Sequence, residues 1–209
     1  MQHAQKGQGH RWFAAIYDRM NAREERRLGP RVRSRIAGEA HGQVLEIGAG
    51  TGANFPYYPA DSLVVATEPD PFMLKRAKDK LAGLGLSNIQ LRDASADNLP
   101  FDDAAFDHVV CTLVLCSVPG QPAALAETWR VLKPGGRFRF LEHVRNDDSR
   151  FWGTLQDMVT PVWRWLGAGC HPNRRTRQAI EDAGFSIEWN EDMKIAPGTS
   201  AIYGVAAKG

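Results

Sequence analysis

The 209-residue chain is 43% hydrophobic and 24% charged, the balance of a folded domain with one sizeable core rather than a fibrous or disordered chain. No run nears the roughly 18 uninterrupted apolar residues of a membrane-spanning helix, and the opening MQHAQKGQGH lacks the apolar centre of a secretory leader. The net charge of +2 is unevenly spread: residues 1–40 hold nine basic and four acidic side chains, a surplus of five, which suits either an anionic surface or a solvated helix face.

In chain order, residues 11–37 are expected to be helical. Trp12, Phe13, Ile16, Tyr17 and Met20 share one arc at about 100° per residue, whereas Arg11, Asp18 and Arg19 fall outside it. The stripe fades where Arg23 and Arg27 come round, Gly29-Pro30 breaks the run, and a second basic helix ends near Gly38. The head (1–40) then gives way to a body (41–209). Strand-like runs fall at 43–47, 62–67, 89–92, 106–115 and 136–144, with helices over 70–82 and 121–132, each carrying proline in its first turn. Strands alternating with helices predict an α/β fold around a doubly wound, mostly parallel sheet. Residues 151–166, FWGTLQDMVTPVWRWL, place Trp152, Leu155, Val159, Val162 and Leu166 at helical spacing, with Pro161 expected to bend or interrupt the helix. Trp152, Trp163 and Trp165 there suit a headgroup-level surface, a substrate lid or plain core packing. A helix over 173–183 precedes two strands, FSIEWN and TSAIYGVAA, joined too closely for anything but a hairpin.

LEIGAGTG, residues 45–52, follows the first strand. In a doubly wound sheet ligands bind beyond the carboxyl ends of the strands. Gly48, Ala49, Gly50, Thr51 and Gly52 therefore read as a loop over which a ligand approaches bare backbone, near amides that favour an anion. A tight turn needing small residues is the plain alternative, and Gly48, Gly50 and Ala53 also satisfy the dinucleotide pattern G-x-G-x-x-A. Glu46, one step before Ile47, can orient the loop or receive an ammonium group. Glu68 ends the second strand, placed either for ribose hydroxyls or as an acid at the next helix's N-terminus, which begins Pro69-Asp70-Pro71. Asp93 ends the third strand, within reach of an exocyclic amine. Cys111, Cys116 and Cys170 form no CxxC and no Cys/His run with zinc spacing, so they read as packing residues, and no metal is expected. Cys111 and Cys116 lie roughly 16 Å apart if extended, too far for a disulfide, which fits a reducing, cytoplasmic setting.

Taken together, LEIGAGTG, Glu68 in ATEPD, LRDASADNLPFDDAAFDHVV and RVLKPGGRFRFLEHV resemble the class I S-adenosylmethionine-dependent methyltransferases over residues 40–209. The resemblance implies a seven-stranded Rossmann-like sheet and S-adenosylmethionine as cofactor. By it, the loop amides and Glu46 surround the methionine end, Glu68 with Pro69 takes the ribose, Asp93 and Ala94 meet the adenine, and Thr112 lies near the sulfonium. A nucleotide-dependent dehydrogenase explains neither LPF…FD nor KPGG.

Methyl transfer from a sulfonium needs alignment more than a dedicated triad. An amine or thiol acceptor gains from a nearby base. Tyr17, Glu142 and His143 are the candidates, with His171 in GCHPNRR behind them. Two narrower resemblances differ on the acceptor. CTLVLCSVP, LEHVR, the tryptophan-rich stretch and GCHPNRRT look like the methyltransferase-like thiol S-methyltransferases. Those carry an apolar N-terminal anchor, where this chain is amphipathic and basic. The YDRM…LEIGAGTG…LPF…FD layout looks like bacterial phospholipid N-methyltransferases. With the basic head and the tryptophans, the reading is N-methylation of a phosphatidylethanolamine-type amine. It implies a cytoplasmic enzyme peripheral to the inner membrane face through residues 11–37. Thiol S-methylation of small apolar thiols and a non-catalytic cofactor-binding protein are the alternatives. Nucleic acid is disfavoured, since no N-P-P-Y-type tetrapeptide follows the fourth strand.

Overall fold

The computed structural model describes residues 22, 25–26, 29–166, 169–196 and 198–209. Tyr17 and the apolar stripe of residues 12–20 lie outside them, as do the side chains of Trp165 and Leu166. Seven strands form one sheet in the order β3-β2-β1-β4-β5-β7-β6: β1 (Gln43–Ile47), β2 (Leu63–Thr67), β3 (Ile89–Arg92), β4 (Phe106–Thr112), β5 (Leu132–Val144), β6 (Ser186–Ala196) and β7 (Thr199–Ala207). Strands β1 to β5 pair in parallel, and β7 runs antiparallel between β5 and β6. This is the doubly wound sheet with a closing hairpin that the alternating pattern implies.

A π-helical turn, Gly29–Arg33, runs into a single α turn, α1 (Ser34–Ile36). The longer helices are α2 (Pro71–Leu84), α3 (Gln121–Val131), α4 (Arg150–Leu166) and α5 (Thr176–Asp182). Local chemistry sets the bounds of α2. The Asp70 carboxylate accepts from Phe72 N at 2.8 Å and Met73 N at 3.2 Å, Pro71 occupies the first turn, and Gly85 closes the end at φ +65°. Among the described residues, no helix is long and apolar enough to cross a membrane.

The period-2 alternation of the strands divides the core. Leu45, Ile47, Val109, Phe138 and Phe140 pack against Leu125 of α3 and Ile180 of α5 on one face. On the other, Val44, Val110 and Leu141 meet Val32 and Ile36 of the N-terminal turns and Phe55. Residues 29–40, the end of the expected head, thus pack directly on the sheet.

Four elements differ from their sequence reading. Gly29-Pro30 lies within a π-helical turn, Gly29–Arg33, that continues into α1, where the sequence reading placed a break. Strand β4 stops at Thr112 rather than 115, because Leu113 adopts φ +61° and turns the chain. Strand β5 begins at Leu132, taking in Lys133-Pro134-Gly135-Gly136 through a register shift against β4. Helix α4 runs through Pro161 without interruption.

Candidate active site

The chain leaves β1 for β2 on one side and β4 for β5 on the other, so the sheet opens beyond the carboxyl ends of β1 and β4. The glycine loop occupies that position, and its three glycines serve two ends. All have positive φ: +67° at Gly48, +56° at Gly50 and +80° at Gly52. A Cβ at Gly48 would stand 2.4 Å from Val114 Cγ2, and one at Gly52 would stand 2.3 Å from the Phe55 ring. Those two positions are fixed by packing, the turn reading of the motif. At Gly50 a Cβ meets nothing within 4 Å, so here the backbone fronts open space.

The loop amides are not the bare anion site that the sequence implies. Ala49 N donates to Thr67 O at 2.9 Å, Gly52 N to Ala49 O at 2.8 Å, and Gly50 N to Glu68 Oε2 at 2.8 Å. Glu68 is buried and its other oxygen accepts from Asp70 N at 2.9 Å. It therefore ties the loop to the start of α2. Burial raises its pKa, and the two amides oppose that shift. Each carboxylate oxygen retains a second lone pair for a hydroxyl donor. Pro69 is exposed beside it. Asp93, exposed, and Ala94, buried, follow β3, and Glu68 N bonds Arg92 O at 3.0 Å, which sets the ends of β2 and β3 side by side.

Glu46 is 1% exposed. Its Oε1 accepts from Asn54 Nδ2 at 2.7 Å, while Oε2 and the buried Tyr58 hydroxyl are neighbours and neither completes a hydrogen bond. Burial pushes the Glu46 carboxyl up to about 7, against the Asn54 hydrogen bond. Asn54 Nδ2 also donates to Thr112 Oγ1 at 3.1 Å. The Arg33 guanidinium, buried and ion-paired to Glu25 at 2.5 Å, reaches Asn54 Oδ1 at 2.5 Å and Thr112 Oγ1 at 3.3 Å. Arg33, Asn54 and Tyr58 thus join Glu46 and Thr112 in one buried polar network beyond β1 and β4, and sequence reasoning missed all three. Asn54 sits two residues past Gly52 and was within reach; Arg33 was one arginine among many in a basic run.

Glu142 and His143 end β5 but face opposite sides of the sheet, as successive strand residues must. Glu142 is fully buried. It accepts from Val114 N (2.9 Å), Leu115 N (3.0 Å) and Cys116 N (3.1 Å), and Cys111 Sγ lies 3.4 Å away. Those bonds make it a clamp on the 113–116 loop, the loop whose Val114 covers Gly48. His143 is half-buried, its Nδ1 3.9 Å from Cys116 Sγ and 3.7 Å from Cys170 Sγ. Hydrogen bonds from Cys116, His143 and Trp163 hold the Cys170 thiol down, and Cys116, its partner, is pushed up. His171 lies alongside, its backbone N donating to Cys116 O at 2.7 Å. Cys116 and Cys170, read from sequence as packing residues, instead converge on His143.

Helix α4 flanks this end with an inverted face. Gln156 and Thr160 are buried, as is Gly153, Gln156 Oε1 accepting from Asn146 N at 2.7 Å, while Phe151 (69% exposed), Met158 (72%) and Val162 (63%) face outward.

Comparison with known proteins agrees with this geometry. Residues 45–140 match the family described as "Methyltransferase domain". Human thiol S-methyltransferase TMT1A is 36% identical over 179 residues, 83% of this chain and 72% of that protein. The phosphatidylethanolamine N-methyltransferase of Cereibacter sphaeroides is 33% identical over 142 residues, 66% of each chain. Among solved structures, the YcgJ protein of Bacillus subtilis superposes with a TM-score of 0.69 at 18% identity, covering 88% of this chain and 98% of that one, a likeness of fold. The 36% identity to a methyltransferase across 83% of this chain and 72% of that one, on this strand order, means that the protein belongs to the class I S-adenosylmethionine-dependent methyltransferases.

Proposed function

We propose that the protein methylates the sulfur of small apolar thiols. The observation that carries this reading is the 36% identity to a protein named thiol S-methyltransferase across 83% of the chain. The site gives a second argument. An amine headgroup calls for a carboxylate it can reach on the acceptor side, and Glu142, the acid at the end of β5, is fully buried with three loop amides on its two oxygens.

The residues fit the cofactor. The unpartnered Oε2 of Glu46 suits an ammonium group, the open face at Gly50 admits a ligand against backbone, and Glu68 retains lone pairs for ribose hydroxyls. Bound there, S-adenosylmethionine supplies an electrophilic methyl on a sulfonium. The chain's own work is to align acceptor and donor and to keep water out. A thiol reacts as its thiolate.

A second reading, N-methylation of a phosphatidylethanolamine-type lipid, is favoured by the outward apolar face of α4 and by the Cereibacter relative. Peripheral membrane contact through α4 or the basic N-terminal stretch suits either acceptor, since apolar thiols partition into lipid. One experiment separates the two. Methyl-labelled cofactor is incubated with the reduced protein, a short alkane thiol and phosphatidylethanolamine vesicles together. Label is expected in the methyl thioether; label in the lipid alone overturns the thiol reading.

A further inference from the structure

Cys116, His143 and Cys170 are spaced 27 residues apart in sequence and come from three different segments. Their sulfur and nitrogen atoms nonetheless lie within 4.8 Å of one another. We propose that these three side chains form a binding site for a soft divalent cation of the zinc class. The site is separate from the cofactor cradle, and the proposal does not depend on which acceptor is methylated.

Geometry is the first support. Zinc bonds of about 2.3 Å to sulfur and about 2.0 Å to imidazole, at a tetrahedral angle, set S and N about 3.6 Å apart. The two S···N separations are 3.7 Å and 3.9 Å and no pair exceeds 4.8 Å, so a cation would draw the ligands together by at most about 1 Å. Donor chemistry is the second. Two thiolates and one imidazole select zinc-like ions over magnesium or calcium, which take oxygen ligands. The third is that the backbone holds the ligands in place. Cys116 is fixed from both sides, its N donating to Glu142 at 3.1 Å and its carbonyl accepting from His171 N at 2.7 Å. Both sulfurs are buried, at 1% and 8% exposure. The Arg174 guanidinium, held by the Leu115 and Val118 carbonyls, stands close enough to offset the negative charge of two thiolates. The three ligands found among the described residues leave a fourth position to water or a small exogenous ligand, as in sites that do chemistry.

The test uses the reduced, chelator-stripped full chain and Co²⁺ as probe. Saturation at one ion per chain is expected, with thiolate-to-cobalt absorption in the near ultraviolet, and Zn²⁺ should displace the cobalt. The Cys116→Ser/Cys170→Ser double variant should lose that absorption, with calorimetric binding of S-adenosylhomocysteine reporting that it is still folded. X-ray absorption of the zinc-loaded wild type needs no variant and should resolve two sulfur neighbours and one imidazole nitrogen. A wild type without saturable absorption, absorption that survives in the folded double variant, or a zinc shell without sulfur each overturns the proposal.

Discussion

Glu46 carries one oxygen bonded to Asn54, one without a partner, and a carboxyl raised to about 7 by burial. An ammonium binds the ionised form, so at pH 6 cofactor binding must first release a proton, and at pH 8 it need not. Affinity for S-adenosylhomocysteine, read by calorimetry, is expected to rise from pH 6 to pH 8, by up to about tenfold per unit below the pKa. Glu46→Gln should flatten that dependence and weaken binding; a pH slope that survives the substitution would show that another group titrates. The glycines allow a paired test. Gly50→Ala places a side chain in open space at φ +56° and should reduce cofactor affinity with about 1–2 kcal/mol of strain. Gly48→Ala and Gly52→Ala add collisions with Val114 and Phe55 to the same strain, so they should lower the melting temperature further. Equal effects at all three positions would contradict the division of labour. At this scale the acids at strand ends were legible, because strand ends are local. The Glu46–Asn54–Arg33 network was not, since it joins residues 21 apart through a buried cation whose neighbours in sequence look alike. Glu142 misled because adjacency in a strand puts neighbours on opposite faces.

Among the elements, α4 departs most from expectation. Its helical period was readable, but which side packs inward was not. Gln156 and Thr160 face inward because Gln156 satisfies Asn146 N and receives its own partners there, leaving the apolar residues outside. An exposed apolar helix face of this kind marks a docking surface. Met158→Glu and Val162→Glu should reduce co-sedimentation with lipid vesicles and turnover of long-chain thiols, while changing stability by no more than about 0.5 kcal/mol. Loss of stability instead would mean that the face is packing. The ends of β4 and the start of β5 were misjudged for a related reason. A positive φ at Leu113 and a register shift near Phe106 are decided by strand pairing, not by local composition.

Across the whole molecule, the βαβ rhythm conveyed the doubly wound parallel sheet and the closing hairpin, because parallel crossovers leave few arrangements. Contacts made only by the completed fold stayed hidden, such as the Cys116–His143–Cys170 cluster and the buried Arg139 beside His108. His108 is held down to about 4, from an ordinary 6.5, by burial and by the Arg139 charge. Its neutral form is the folded one, so its contribution to stability is complete above pH 6.5 and is lost as pH falls through about 4. Glu46, raised in pKa, acts in the opposite sense, so the comparison is between wild type and His108→Gln. The variant should show a smaller drop in melting temperature between pH 7 and pH 5; parallel curves would contradict the assignment. We propose that the cofactor lies over Gly50 with its ribose on Glu68. Calorimetry with S-adenosylhomocysteine and its 2′-deoxy analogue tests it most directly, on wild type and on Glu68→Ala. Wild type should prefer the ribose compound by about tenfold, the worth of one charge-assisted hydrogen bond, and Glu68→Ala should lose that preference. An equal preference in both proteins would place the ribose elsewhere and contradict the account.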